Sequence, residues 1–214
     1  MPQLLYTIAI WAVPVLFAIT LHEAAHGWVA NKLGDPTARQ LGRITMNPIK
    51  HIDPIGTIVV PLLLVTLSGF IIGWAKPVPV DPRHFKQPLL DMALVALAGP
   101  VSNFFMAAFW ALMITLSTNV LADTAVAVHL VRMGQAGVII NIILMVLNML
   151  PIPPLDGGRV LAGVLPTGAA LSYMRIEPYG MWIILALLVT GILGKILWPV
   201  VQRFDAIISA IFIF

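Results

Sequence analysis

Charged residues divide the chain into apolar stretches separated by short polar segments. Five stretches carry no charged side chain, and a membrane-spanning helix needs about 20 mostly apolar residues. They are residues 4–21, 55–75, 92–122, 133–155 and 178–194. Four or five membrane segments fit this pattern, which predicts an all-α integral membrane protein, a polytopic helical bundle.

The composition supports a membrane protein. The chain is 60% hydrophobic and 10% charged, whereas soluble domains carry roughly 25% charged residues. No polar stretch is long enough for a separate soluble domain, so we expect residues 1–214 to form a single membrane-embedded domain in contact with the lipid bilayer. The net charge of +3 includes no basic run that could follow a phosphate backbone. Nucleic acid is therefore not an expected partner.

The basic residues orient the chain. Most of them fall in residues 32–54 and 74–88, and the positive-inside rule places both segments in the cytoplasm. We expect the first helix to run inward from an outside amino terminus. It is read as a retained helix and not as a signal peptide, because no basic residue precedes it. Residues 89–117 would then return outward to an external loop at 118–132. Residues 133–152 would come back inward, and residues 178–200 would leave again.

Residues 55–75 fit a simple crossing poorly. Both flanks are basic, and four helix-weakening residues interrupt the stretch, namely Gly56, Pro61, Gly69 and Gly73. A re-entrant segment between the first core helices is the better interpretation. The following residues 73–80, Gly-Trp-Ala-Lys-Pro-Val-Pro-Val, contain prolines that exclude a helix interior and favour an extended loop or an edge strand.

His22, Glu23 and His26 directly follow the first apolar stretch. No proline or glycine separates them from it, so the helix should continue through them. Residues i and i+4 share one helical face, so both imidazoles can hold one zinc ion, and Glu23 can take a proton from water at the metal. A chance match is the alternative, but ionisable side chains at a membrane helix end are costly unless they are paired or bind a ligand.

A catalytic zinc site needs a third protein ligand. The chain has no cysteine, which leaves histidine and carboxylate side chains. Asp156 is the best placed, because it follows a stretch that should end on the same side as the first helix, and Pro153 and Pro154 should hold the chain around it extended. An ordinary Asp-Gly turn is the alternative reading of Asp156. The other candidates are His51, Asp53, His84, His129 and Glu177, and for His51 and Asp53 a role beside the zinc stays open.

Two asparagines lie in apolar surroundings and need partners. Asn148 lies about two helical turns before Asp156 and could stabilise an oxyanion or hold a substrate backbone. An ordinary interhelical hydrogen bond is an equally good reading of it. Asn103 ends the sequence Gly-Pro-Val-Ser-Asn at residues 99–103, where small residues favour close helix packing, and it is a candidate to face the site.

Together these motifs resemble the site-2 protease family of intramembrane zinc metalloproteases. The matching segments are His-Glu-Ala-Ala-His at 22–26, Gly-Pro-Val-Ser-Asn at 99–103 and Asn-Met-Leu-Pro-Ile-Pro-Pro-Leu-Asp-Gly-Gly at 148–158. The resemblance implies that His22, His26 and Asp156 bind one Zn²⁺ per chain. It also implies that Glu23 is the general base and that Asn148 acts at the substrate carbonyl.

The resemblance further implies that an extended segment presents an edge to the substrate, which makes Gly73, Trp74, Pro77 and Val78 candidate substrate-binding residues beside Asn103. The chain is similar to a minimal member of the family, because 214 residues leave no room for the PDZ or CBS domain of larger members.

The function predicted from these features is that of a zinc-dependent metalloendopeptidase of the cell membrane. It would cut transmembrane or membrane-adjacent segments of protein substrates, with its active site toward the cytoplasmic side. A metal transporter is one alternative, although the sequence shows no inverted repeat. A catalytically silent membrane chaperone is another, but it would have no need to keep Glu23. A di-iron hydroxylase would need more than the five scattered histidines present.

Overall fold

A computed structural model describes residues 2–59 and 75–212 of the chain. The helices are α1 (Pro2–Leu33), α2 (Thr37–Gln40), α3 (Pro88–Asn119), α4 (Ala125–Asn148), α5 (Asp156–Val164), α6 (Thr167–Met174), α7 (Glu177–Val189) and α8 (Ile192–Phe212). Short 3-10 turns at Pro48–His51 and Pro82–His84 and a π-helical turn at Pro54–Val59 complete the regular structure. No strand occurs within the described ranges, which confirms the predicted all-α fold class.

Within the described part of the chain, three helices are long and apolar enough to cross a membrane: α1, α3 and α4. Helices α7 and α8 make a fourth span if they are counted together, but they meet at an angle of 83°. The protein is therefore a multi-pass membrane protein, as predicted. The exit expected for residues 178–200 is not one straight helix, because Gly191, at φ +71°, takes the left-handed conformation that ends a helix.

Helix α1 continues through the two histidines, as expected. It runs without interruption to Leu33 and ends where Gly34 adopts φ +115°. Helices α3 and α4 pack against each other and against α8 to form the largest buried apolar cluster, and α1 lies against both α3 and α4. The cluster contains Ala107, Trp110, Ala111, Ile114, Val138, Ile142, Met145, Val146, Val201 and Ile208.

Helix α4 corrects the predicted external loop. It begins at Ala125, so the connection after α3 comprises only residues 120–124 instead of 118–132. His129 and Arg132 consequently lie within the helix. The physical reason is that no proline or glycine interrupts residues 125–133.

The chain after α4 also differs from the expectation. Residues 149–155 form a turn-rich connection, but Asp156 begins helix α5 instead of lying in an extended segment or a plain Asp-Gly turn. The prolines end before Asp156, and the residues after Gly158 are free to continue a helix. An acidic residue is also favourable in the first turn of a helix.

The predicted re-entrant stretch at 55–75 lies mostly outside the described residues, as do Gly73 and Trp74. Of the predicted extended segment 73–80, residues 75–80 are described, and they form a loop without helical structure, as the prolines predicted. We call residues 75–81 the proline segment.

Gly137 of α4 packs closely against Trp110 of α3, and a substitution at Gly137 tests this helix packing. A Cβ atom there would overlap the indole ring of Trp110, whereas one at Gly194 in α8 would meet no neighbour. We expect Gly137→Ala to lower the free energy of unfolding by about 1–3 kcal/mol through overpacking. Gly194→Ala should be neutral or slightly stabilising. Thermal unfolding in detergent measures both, and equal melting temperatures for the two variants would contradict the packing.

Candidate metal centre

The two histidines of α1 present their rings to one point. His22 and His26 lie one helical turn apart, with their ring centroids separated by 4.6 Å. Their Nε2 atoms are 3.0 Å apart. Helical spacing therefore produces the shared face that the sequence predicted.

Asp156 brings a carboxylate to the same point from the first turn of α5. Its Oδ2 atom lies 3.1 Å from Nε2 of His22 and 3.4 Å from Nε2 of His26. The two glycines that follow allow this approach, because a Cβ atom on Gly157 would overlap the backbone of Met149 and one on Gly158 would lie 2.6 Å from the Pro153 nitrogen. The Asp-Gly-Gly sequence thus lets α5 begin close against the preceding turn.

Hydrogen bonds on the far side of each ring fix which nitrogen faces the aspartate. Nδ1 of His22 lies 2.6 Å from the Asn103 side-chain oxygen, and Nδ1 of His26 lies 2.7 Å from the Val95 carbonyl oxygen. Since both partners can only accept, each Nδ1 must carry the hydrogen. In the neutral imidazole Nε2 then has a free lone pair.

Three electron pairs consequently point at one small volume. The side chains of His22, His26 and Asp156 are 9%, 12% and 15% exposed, so little water is available to separate them. Oδ2 of Asp156 has no hydrogen-bond partner among the described residues. Such an arrangement is repulsive unless a cation lies at its centre.

The cluster fits zinc in both ligand type and spacing. Within the described ranges, His22, His26 and Asp156 are the one group of three such side chains whose ligand atoms come together. Ligand atoms about 2.0–2.2 Å from a tetrahedral zinc lie roughly 3.3–3.6 Å from one another. The observed separations of 3.0, 3.1 and 3.4 Å are close to this range. Two imidazoles and one carboxylate also leave a fourth position open, as catalytic zinc sites do.

Gly99 on α3 provides the space that the imidazoles occupy. A Cβ atom at this position would lie 2.5 Å from ring atoms of both His22 and His26. The glycine therefore lets α3 form the wall of the site, which agrees with the close packing expected for residues 99–103.

Asn103 lies behind His22 and is fully buried. Its side-chain nitrogen donates to Ala18 O at 3.3 Å and to the Asn141 side-chain oxygen at 2.8 Å. Asn141 in turn donates to Gly137 O at 2.8 Å. These bonds connect α1, α3 and α4 through one polar chain. Asn103 has no exposed surface to offer a substrate in this structure, so the candidate substrate role inferred for it is not supported by its position.

Glu23 faces the proline segment. Its Oε2 atom accepts a hydrogen bond of 2.8 Å from the backbone nitrogen of Val78. The segment is held beside it by the buried Arg43, whose guanidinium donates to the carbonyl oxygens of Lys76 at 2.8 Å and Pro77 at 3.3 Å. The Lys76 nitrogen donates to the His51 carbonyl at 2.9 Å. Pro77 and Val78 are thus placed next to the proposed base.

Asp35 fixes the other end of the proline segment. Its carboxylate is fully buried and accepts from the backbone nitrogen of Asp81 at 2.7 Å and from Nδ1 of His84 at 3.0 Å. It also accepts from the backbone nitrogen of Thr37 at 3.0 Å. Burial raises the pKa of the Asp35 carboxyl. The hydrogen bonds from Thr37 and Asp81, together with the nearby His84, lower this pKa by a larger amount, so the net shift is downward. No local sequence pattern indicated this role for Asp35 or the role of Arg43.

The remaining candidates bond to partners other than His22, His26 and Asp156. Asn148 donates to Leu144 O of its own helix at 3.0 Å, and its role at a substrate stays a prediction. Asp53 accepts from the backbone nitrogens of Ile55 and Gly56, as a turn residue before Pro54 does. The partners of the others are Thr45 O for His51, Asp35 for His84, Tyr6 for His129 and Arg159 for Glu177.

The fold and the cluster together define a class, that of polytopic membrane metalloenzymes with a His-Glu-x-x-His helix. Known proteins agree with this class. The profile of "Peptidase family M50" matches residues 113–191. The chain is 39% identical over 192 residues to the Bacillus subtilis protein named "Putative zinc metalloprotease YwhC". The aligned region covers 89% of this chain and 84% of that protein. It is 30% identical to "Putative zinc metalloprotease Rip2" of Mycolicibacterium smegmatis, over 88% of this chain and 70% of the relative.

The chain therefore belongs to peptidase family M50, the site-2 protease family, which confirms the resemblance found in the sequence. It is a zinc-dependent metalloendopeptidase embedded in a membrane. No solved structure matches the chain significantly.

The hydrogen bond from His22 to Asn103 gives a test of the metal centre. Asn103→Ala removes the acceptor that orients the ring, and loss of such a partner weakens metal binding roughly 10- to 100-fold. Titration with a zinc chelator measures the change. Ser102→Ala is the control, since Ser102 bonds only to Gly99 O of its own helix among the described residues. Unchanged zinc affinity in a folded Asn103→Ala protein would contradict this role.

Proposed function

We propose that the protein hydrolyses peptide bonds in transmembrane or membrane-adjacent segments, with zinc held by His22, His26 and Asp156 and with Glu23 as the general base. The observation that carries this proposal is the convergence of three electron pairs on one point in a nearly dry site. Glu23 directly follows His22 on α1, and its carboxylate is not needed as a metal ligand, so it is free to act as the base.

The proposed chemistry is divided between the metal and Glu23. Zinc at this site would lower the pKa of a water molecule and polarise the scissile carbonyl. Glu23 accepts the proton from that water and later gives it to the leaving amine. The Val78 N–H holds Oε2 of Glu23 and leaves Oε1 for the proton, since Oε1 has no partner among the described residues. Asn103 positions His22, and Asn148 is proposed to assist at the substrate carbonyl.

An apolar groove supports a transmembrane substrate. It has a volume of about 470 Å³ and runs between α1 and α3, the helices that carry His26 and Gly99. Its walls include exposed apolar side chains that face the surrounding bilayer, namely Trp28, Leu94, Leu97, Val101 and Phe105. A substrate helix can lie there without exposing apolar surface to water. We propose this groove as the route by which a transmembrane segment reaches the site.

The proline segment is the proposed contact for the cleaved stretch. A helix hides its carbonyls in internal hydrogen bonds, so the substrate must unwind locally before hydrolysis. Arg43, His51 and Glu23 bind the backbone of residues 76–78, whereas the carbonyls of Val78 and Pro79 have no partner in the described part of the chain. A free carbonyl of this segment can accept a hydrogen bond from an unwound substrate by strand addition. Gly73, Trp74, Pro77 and Val78 remain the proposed substrate-binding residues.

The proposed orientation places the site toward the cytoplasm of a cell membrane. Glu23 and the proline segment lie at the carboxyl end of α1, and the basic residues Lys32, Arg39 and Arg43 follow that end. The positive-inside rule assigns such an end to the cytoplasmic side. Water and the cleaved product would use the same polar opening.

Substitution of the base and of the carboxylate ligand tests the mechanism. We expect Glu23→Gln to keep its zinc and to lower the cleavage rate of a single-span substrate in liposomes by roughly 10²- to 10⁴-fold. Asp156→Ala should lose both zinc and cleavage. Glu177→Gln changes the chain's other glutamate, which is paired with Arg159, and should cleave like the unaltered protein. Full activity of Glu23→Gln would contradict the mechanism and favour a binding or transport role for the metal.

A further inference from the structure

A cavity with polar and charged lining lies at the opposite end of the helical bundle from the metal centre. It has a volume of about 550 Å³ and opens between the start of α1, the first half of α4 and the end of α8. Trp11 is its lining residue nearest to His22 along α1, and eleven residues correspond to about 16 Å of helix. Substrate bound at the zinc therefore does not fill this cavity.

The cavity contains one cation and one anion that do not neutralise each other. Arg132 and Asp205 both line it, and no ion pair joins them or ties either to another described residue. Among the described residues, the Arg132 guanidinium makes one hydrogen bond, a long one of 3.3 Å to the hydroxyl of Tyr6. Charged side chains within membrane helices are costly and usually mark a binding site.

The surroundings of the two charges are asymmetric. Gln135 lies one turn from Arg132 on α4 and can donate hydrogen bonds, whereas the Tyr6 hydroxyl already lies 2.9 Å from Nδ1 of His129. Ser209 lies one turn from Asp205 on α8 and can accept hydrogen bonds. The inner wall is apolar, with Ile10 and Val138 buried. The cavity thus has an anion-binding side, a cation-binding side and an apolar floor.

We propose that this cavity binds the headgroup of a zwitterionic phospholipid that carries a primary ammonium, as phosphatidylethanolamine does. Arg132 and Gln135 bind the phosphate, and Asp205 and Ser209 bind the ammonium. Arg132 and Asp205 lie about two turns from the start of α4 and the end of α8, which is close to the depth of lipid headgroups. Trp11 beside it is of the type that anchors membrane proteins at this level.

A primary ammonium suits the cavity better than a quaternary one. A choline headgroup cannot donate hydrogen bonds to Asp205 and Ser209 and is usually bound by aromatic ring faces. The ring of Tyr6 is already covered by the Arg132 guanidinium, 5.6 Å from the ring centroid. An anionic headgroup without an amine would bring a second negative charge next to Asp205. The cavity therefore selects for one charge of each sign.

Lipid retention tests the proposal. The zinc-loaded protein is equilibrated in micelles with equimolar phosphatidylethanolamine, phosphatidylglycerol and phosphatidylcholine, repurified, and its bound lipid quantified by mass spectrometry. We expect phosphatidylethanolamine to be enriched over both others by roughly two- to five-fold, as expected from a partly exposed ion pair. No enrichment, or enrichment of either other lipid, would overturn the proposal.

Two variants separate the two sides of the cavity. Arg132→Gln should reduce retention of all three phospholipids, whereas Asp205→Asn should remove the preference for phosphatidylethanolamine and leave total lipid similar. Arg203→Gln is the matched control, because Arg203 is exposed on the same helix as Asp205 and does not line the cavity. Unchanged zinc content establishes that each variant is folded. Retention by both cavity variants equal to that of Arg203→Gln would refute the site.

A soluble headgroup distinguishes a lipid ligand from a free metabolite of the same chemistry. Phosphoethanolamine at millimolar concentration should not displace the retained lipid, because it lacks the acyl chains that contact Ile10 and Trp11. Displacement would identify the soluble compound as the ligand and overturn the assignment to a lipid.

Discussion

The structure depends on one electrostatic constraint, which is that two imidazole lone pairs and a carboxylate meet in a nearly dry part of a membrane protein. Their repulsion is severe at low dielectric, and a divalent cation between them would turn it into attraction. Zinc held as proposed would also join α1 to α5, which are far apart in the sequence. Metal binding and folding of this part of the bundle should therefore be coupled.

The rest of the core serves to aim these ligands. Asn103 and the Val95 carbonyl hold the protonated sides of the two rings, and Gly99 lets α3 approach them. The chain of amides from Asn103 to Asn141 continues to Gly137, where α3 and α4 pack most closely. Helix packing and metal geometry are thus parts of one network. The loop anchors Arg43 and Asp35 extend the same precision to the proline segment beside Glu23.

The positions of residues that follow from local spacing and helix order were predictable from the sequence. The two histidines share a face because they are one turn apart, and Asp156 followed from counting membrane crossings. The orientation of Asn103 did not follow, because α3 is apolar on all sides and no polar face shows which side is buried. Arg43, Asp35 and Asn141 were missed for a related reason, since their partners lie 33 or more residues away. The bend between α7 and α8 depends on the conformation of a single glycine within an apolar run.

The most direct test of the account is the position of the metal. Anomalous scattering at the zinc edge, measured on crystals of the inactive Glu23→Gln protein, locates zinc independently of any assumption about ligands. The account predicts one zinc ion about 2.0–2.2 Å from Nε2 of His22, Nε2 of His26 and a carboxylate oxygen of Asp156. A zinc ion bound without Asp156, or at another histidine such as His51 or His84, would contradict it.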